Sequence, residues 1–170
     1  MWCWKNTSGI LPSTVRSGPA GRCTHRGPAG SHGGGGDHGA QGAEGLPDGE
    51  PLLFNDCDHL FLCRAFYDFC AGGRFAEGPA GALLTFASDS PAYSYVQYDA
   101  VGNVCHTVEK QVVSHDAICG AYYFKDKKTY ADACAAYLHH CDYKEFFVSG
   151  IYNVLADRGA QIRGFATDLH

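Results

Sequence analysis

All ten phenylalanines and all ten tyrosines of this 170-residue chain lie at or after Phe54, whereas 12 of its 22 glycines fall within residues 1–45. That partition divides the chain before any element is assigned. A glycine-rich segment without Phe or Tyr buries too little apolar surface to offset the entropy of ordering it. The run Gly30-Ser-His-Gly-Gly-Gly-Gly-Asp-His-Gly39 has neither a helical nor a strand period. We therefore expect residues 1–45 to be a disordered Gly-rich segment and residues 46–170 to hold the folded domain. The Gly, Ala, Arg, Pro and Ser of the first segment are residues of GC-rich codons, which fits a stretch read out of frame. Two sharper readings of it fail. Gly33 to Gly36 is followed by no lysine and preceded by no apolar strand, so it is no phosphate-cradling loop. His25, His32 and His38 sit in a flexible tract that does not preorganise metal ligands.

Charge and cysteine content narrow the function classes. Thirteen Lys+Arg against eighteen Asp+Glu give a net charge of −5, which offers no basic footprint for nucleic acid or an anionic membrane surface. No apolar stretch approaches the ~20 residues that span a bilayer. The first residues carry no continuous apolar core of a secretory signal. The nine cysteines are odd in number and form no C-x-x-C pair, so they read as reduced thiols of a cytoplasmic protein. Cys63 and Cys70, set among Leu, Phe and Ala, read as small hydrophobes.

From Pro51 the pattern becomes that of an α/β domain. Apolar runs predict strands at Pro51–Asn55, Ala82–Phe86 and Ile118–Phe124, and a last strand at Gln161–Ala166. Tyr93–Tyr98 and Val104–Glu109 flank Asp99-Ala-Val-Gly-Asn103, a hairpin turn. Helices are expected at about His59–Ala71 with Asp58 as N-cap, at Lys127–His139, and at Lys144–Asp157 closed by Gly159. Strands alternating with helices argue for a Rossmann-like, mostly parallel sheet with helices on both faces.

Asn55-Asp56-Cys57-Asp58-His59, just after the first strand, is the strongest local signal. Ligands of open α/β sheets bind beyond the carboxyl ends of strands. Asp56 and Asp58 there suit a hard cation such as Mg²⁺, which takes oxygen ligands and shares substrate phosphates. An acidic turn with Asp58 as a cap explains the same residues. Lys110 at a strand end can set an ammonium against a phosphate, and Glu109 can accept sugar hydroxyls; before context, a solvated pair at a strand end is the favoured explanation. Gly120 inside an apolar strand marks a bulge or a close approach. His139-His140-Cys141 reads as a helix end, and Cys57 has no positioned base beside it.

Several ordered pieces resemble the sugar-phosphate nucleotidyltransferase family, which contains the glucose-1-phosphate thymidylyltransferases. They are Pro51-Leu-Leu-Phe-Asn-Asp-Cys-Asp58, Tyr93-Ser-Tyr-Val-Gln-Tyr-Asp-Ala-Val-Gly-Asn103, Val108-Glu-Lys-Gln111, Ala117-Ile-Cys-Gly-Ala-Tyr-Tyr-Phe124, Lys144-Glu-Phe-Phe-Val148 and Ile151-Tyr-Asn-Val-Leu155 before Gly159. The resemblance implies a nucleotidyltransferase, glycosyltransferase-A-like fold. It implies transfer of a nucleotidyl group from a nucleoside triphosphate to a sugar-1-phosphate, with Mg²⁺ as cofactor. Asp58, joined by Asp56, is then the metal site. Asp58 and Lys110 are the catalytic residues, and Glu109, Gly120 and Glu145 are the sugar-binding ones. The departures are as clear. The family's strand and Gly-rich basic triphosphate loop have no counterpart here, Gln111 replaces a proline, and the chain stops near where a second metal aspartate follows. The domain is thus expected to be incomplete at both ends and impaired in catalysis, with a homo-oligomeric state left open. Asp56-Cys57-Asp58 is also literally D-x-D, so a metal-dependent glycosyltransferase is the alternative, and a non-catalytic sugar-nucleotide-binding remnant is a third reading.

Overall fold

A computed structural model describes residues 2–4, 46–72, 78–140 and 146–168. Seven strands form one sheet: β1 (Trp2–Trp4), β2 (Leu52–Asn55), β3 (Gly81–Ala87), β4 (Ser94–Tyr98), β5 (Val104–Glu109), β6 (Asp116–Phe124) and β7 (Ile162–Ala166). Among the described residues three helices accompany them: α1 (Arg64–Gly72), α2 (Lys127–His140) and α3 (Val148–Asp157). The α/β expectation holds.

The main strand order is β1-β2-β6-β3-β7, and β4 joins β6 while carrying β5. Among the described residues only β3 and β7 are hydrogen-bonded in parallel; β6 is antiparallel to both β2 and β3. The expectation of a mostly parallel sheet is therefore corrected: the β1–β2, β2–β6, β3–β6, β4–β5 and β4–β6 pairings are all antiparallel. β2, β3 and β7 do share a direction, as β–α alternation dictates, but β6 is inserted among them in reverse. β6 follows a hairpin, not a helix, and nothing forces a strand after a hairpin into the common direction. Trp2–Trp4 lie in the segment expected to be Gly-rich and disordered. They pair antiparallel with β2, Cys3 opposite Phe54, along an edge that otherwise presents unpaired backbone groups. Gly33 to Gly36 and the three histidines of that segment lie outside the described residues.

The sheet is covered on both faces, as expected. On one face Leu52, Phe54, Leu83, Val96 and Phe124 pack with Tyr130, Tyr137, Ile151 and Tyr152 of α2 and α3. On the other, Ala82, Leu84, Cys119 and Tyr123 pack with Phe66 of α1 and its neighbour Cys63. α2 presents Tyr130, Ala133, Cys134 and Tyr137 to the core, the three–four spacing of an amphipathic helix. Its start is capped by Asp126, whose Oδ1 accepts the Thr129 N–H at 2.6 Å.

α1 begins at Arg64, not His59. Residues 60–63 stay outside the helix, where a remote partner holds them: Asp168 donates its N–H to the Leu62 carbonyl at 2.8 Å, and its Oδ2 accepts the Arg64 N–H at 3.0 Å. Asp168 thus does the capping expected of Asp58, and Leu60 is left 88% exposed. The Asp99–Asn103 turn forms as expected, with Asp99 Oδ1 accepting from the N–H groups of Val101 and Asn103. α3 starts at Val148 and not near Lys144, because Phe147 before it is extended at φ −104° and ψ 135°, and Gly159 closes it at φ +73°, a conformation that glycine adopts without strain.

Candidate functional site

β2 ends at Asn55, and the chain turns under β6 at the next residue: the Asp56 N–H donates to the Gly120 carbonyl at 2.8 Å. At Gly120 the chain has φ +66°. The β3–β6 register shifts here, Leu83 facing Tyr122 but Thr85 facing Ile118, so β6 carries a bulge. An added Cβ on Gly120 would lie 2.7 Å from Asp56 Oδ2. The bulge reading of Gly120 is therefore met, and the group that comes close to it is the Asp56 side chain, not another backbone.

Around this bulge opens a cavity of about 360 Å³. Asp56, Asp58 and His59 form one wall, Tyr93 and Ser94 at the start of β4 another, and Gly120 and Tyr122 of β6 the floor. Glu109 at the end of β5 and Phe147, Val148 and Ser149 at the start of α3 complete it. Residues from five separate segments thus meet beyond the ends of β2 and β5.

Carboxylates dominate the charge of the cavity, with His59 the titratable base among its described lining residues. Burial, and then the charge of Asp58, hold the Asp56 carboxyl above its ordinary range. Burial, then Asp56 and then Glu109, push the Tyr122 hydroxyl well up. Asp58 itself is largely solvent-facing and pairs with His59 at 4.0 Å. No lysine or arginine is among the described residues lining the cavity. Lys110 stands just outside it, in the left-handed region at φ +52°, with its ammonium over the Phe147 ring at 5.3 Å from the centroid. The sequence-expected residues Asp56, Asp58, Glu109 and Gly120 are therefore brought together, Lys110 is adjacent through Phe147, and Glu145 lies outside the described residues.

Sequence reasoning passed over the groups that hold Glu109. Its Oε2 accepts from the hydroxyls of Ser94 and Ser149. Thr107 is fastened to Asn153 of α3 by its N–H at 2.7 Å and its carbonyl at 2.9 Å. Asn153 and Ser94 both lie within the stretches quoted for the resemblance. A polar residue amid an apolar helix motif was the available signal.

Among known structures, one described as a glucose-1-phosphate thymidylyltransferase from Bacillus anthracis, solved with sucrose, superposes with a TM-score of 0.61 at 15% identity. This chain shares its fold. The match covers 81% of this chain and 54% of that one, so the chain spans about half of the known structure. A nucleoside-diphosphate-sugar pyrophosphorylase from Vibrio cholerae RC9 matches at 23% identity with a TM-score of 0.49, over 52% of this chain and 38% of that one. No family model and no curated protein matches the sequence. Among the described residues no helix is long and apolar enough to cross a membrane.

Proposed function

We propose that the cavity binds a sugar-1-phosphate and a nucleoside triphosphate and belongs to a nucleotidyl-transfer site that forms an NDP-sugar and pyrophosphate. The observation that carries this reading is the pair of carboxylates at Asp56 and Glu109, set in different walls of one cavity on a thymidylyltransferase-type fold.

The donor set fits Mg²⁺. Asp56 and Asp58 are hard oxygen ligands whose mutual repulsion a cation relieves. Among the described residues no group of three or more His, Cys, Asp or Glu gathers to enclose a metal, and Mg²⁺ typically takes only one or two carboxylates plus phosphate oxygens. When bound it would neutralise phosphate charge at the reacting phosphorus. The chain's own residues divide the rest. Asp56 and Asp58 hold the cation, Glu109 accepts sugar hydroxyls, and the bulge at Gly120 keeps Asp56 in place. Lys110 is poised to leave the Phe147 ring for a phosphate.

A sugar-nucleotide-binding role without turnover is the second reading, favoured by the lack of Lys or Arg among the described cavity residues. Nucleotidyl transfer depends on positioned positive charge, and each missing well-placed donor costs roughly 10²–10³ in rate. Calorimetric titration with α-D-glucose 1-phosphate and with dTTP, each with and without Mg²⁺, tests binding; a pyrophosphate-release assay tests turnover. We expect Mg²⁺-dependent nucleotide binding, sugar-phosphate binding and slow turnover at most. Release of a nucleoside diphosphate from a sugar nucleotide would instead mark a glycosyltransferase. Absence of all binding would overturn the reading.

A further inference from the structure

Glu109 has three rotatable side-chain bonds and stands at the end of a strand, yet two hydroxyls from different elements converge on one of its oxygens. Ser94 reaches Oε2 from β4, and Ser149 reaches it from the first turn of α3 at 3.2 Å. Among the described residues Oε1 carries no hydrogen bond. Ser149 is only 2% exposed, and its carbonyl accepts the Thr107 hydroxyl at 2.8 Å. Asn153 holds both backbone groups of Thr107, so these hydrogen bonds fasten β5 to α3 beside the Ser149–Glu109 contact. Hydroxyls donating to a carboxylate are among the stronger hydrogen bonds of a protein.

We infer that Ser94 and Ser149 are positioning residues that lock the Glu109 carboxylate in one rotamer, saturating Oε2 and presenting Oε1 to a ligand hydroxyl. The inference rests on the sugar-phosphate reading of the cavity. It assigns selectivity for a polyol ligand to the two serines, which act only through Glu109. A preset acceptor spares the ligand the cost of ordering it.

The test is a cycle of variants of the full chain, titrated with α-D-glucose 1-phosphate. Ser94→Ala and Ser149→Ala each weaken binding by roughly tenfold, the scale of a lost hydrogen bond to a charged group, and Ser94→Thr restores it. In a Glu109→Ala background, Ser94→Ala changes nothing further. A tenfold loss that persists without Glu109, or no loss in either serine variant, overturns the inference. If the wild-type chain binds no sugar phosphate, the functional reading falls, and the side-chain order of Glu109 decides the positioning on its own. Three-bond couplings in ¹³C-labelled ligand-free protein then report one rotamer in the wild type and averaging in the Ser94→Ala/Ser149→Ala double variant. Equal order in both overturns it.

Discussion

The carboxylate of Asp56 occupies the space where a side chain at Gly120 would begin, 2.7 Å from an ideal Cβ. Neither residue can be changed without touching the other. Gly120→Ala meets the left-handed backbone penalty of about 1–2 kcal/mol as well as this contact. We expect urea denaturation to show a loss at the upper end of that range, with weaker Mg²⁺-dependent nucleotide binding. Asp56→Ala in the same chain should recover part of the stability, and an additive double variant would contradict the contact.

Asp56 also sets a pH dependence. Its folded-state value is raised above the ordinary 3.8 by burial and then by Asp58, so between those two values the folded state binds more protons than the unfolded chain. Stability therefore falls as pH rises through that window, and the penalty is fully present above it. Asp56→Asn should be more stable than wild type at pH 7 and lose its advantage near pH 3. Chemical denaturation at a series of pH values measures the difference; an advantage independent of pH would refute the assignment.

The same two aspartates differ in what they can do for a cation. The resemblance gives the metal to Asp58, but Asp56 is the more enclosed carboxylate and Asp58 faces solvent. We expect Asp56→Asn to weaken Mg²⁺-dependent nucleotide binding at least tenfold, the scale of a lost charged contact at roughly 1.5–3 kcal/mol, and Asp58→Asn to weaken it less. The reverse order in a Mg²⁺ titration would restore Asp58 as the principal ligand.

Tyr152 ties α3 to the middle of the sheet. Its buried hydroxyl lies 2.8 Å from the Tyr123 carbonyl and 3.1 Å from that of Ala82. Tyr152→Phe keeps the ring and removes the one hydroxyl donor shared by the two carbonyls, so a loss of about 1 kcal/mol is expected. The urea midpoint should drop with an unchanged slope.

The thiols should separate by reactivity. Burial pushes Cys70 up to about 12 and Cys119 up to about 11, whereas Cys57 and Cys105 are exposed. Iodoacetamide labelling of the native chain at pH 8, mapped by mass spectrometry, should mark Cys57 and Cys105 well before Cys70 and Cys119, since the thiolate is the nucleophile. Equal rates would mean that the α1 face of the sheet opens freely.

The legible parts of the sequence were those with a local cause. The Asp99–Asn103 turn, the apolar run of β3 and the Gly159 stop each follow from neighbours in the chain, and each is found where expected. The start of α1 was missed because its cap is Asp168, a residue brought in by the last strand. The reversed direction of β6 was missed because apolar alternation carries no sense of direction. In the cavity, acidic residues after a strand announced themselves at Asp56 and Asp58. The serines at 94 and 149 did not, since a serine in a strand or helix is ordinary until its partner is known.

β3 lies between β6 and β7, and its outer edge is filled only when Gly81 meets Ile162. On a ribosome adding roughly 5–20 residues per second, that partner emerges seconds after β3 itself. Once β6 has paired with β3, and until β7 arrives, the nascent chain carries an apolar strand with one bare row of amides and carbonyls, the kind of edge that recruits other chains. β7 is thus a late seal, and the yield of native protein depends on how fast synthesis delivers it.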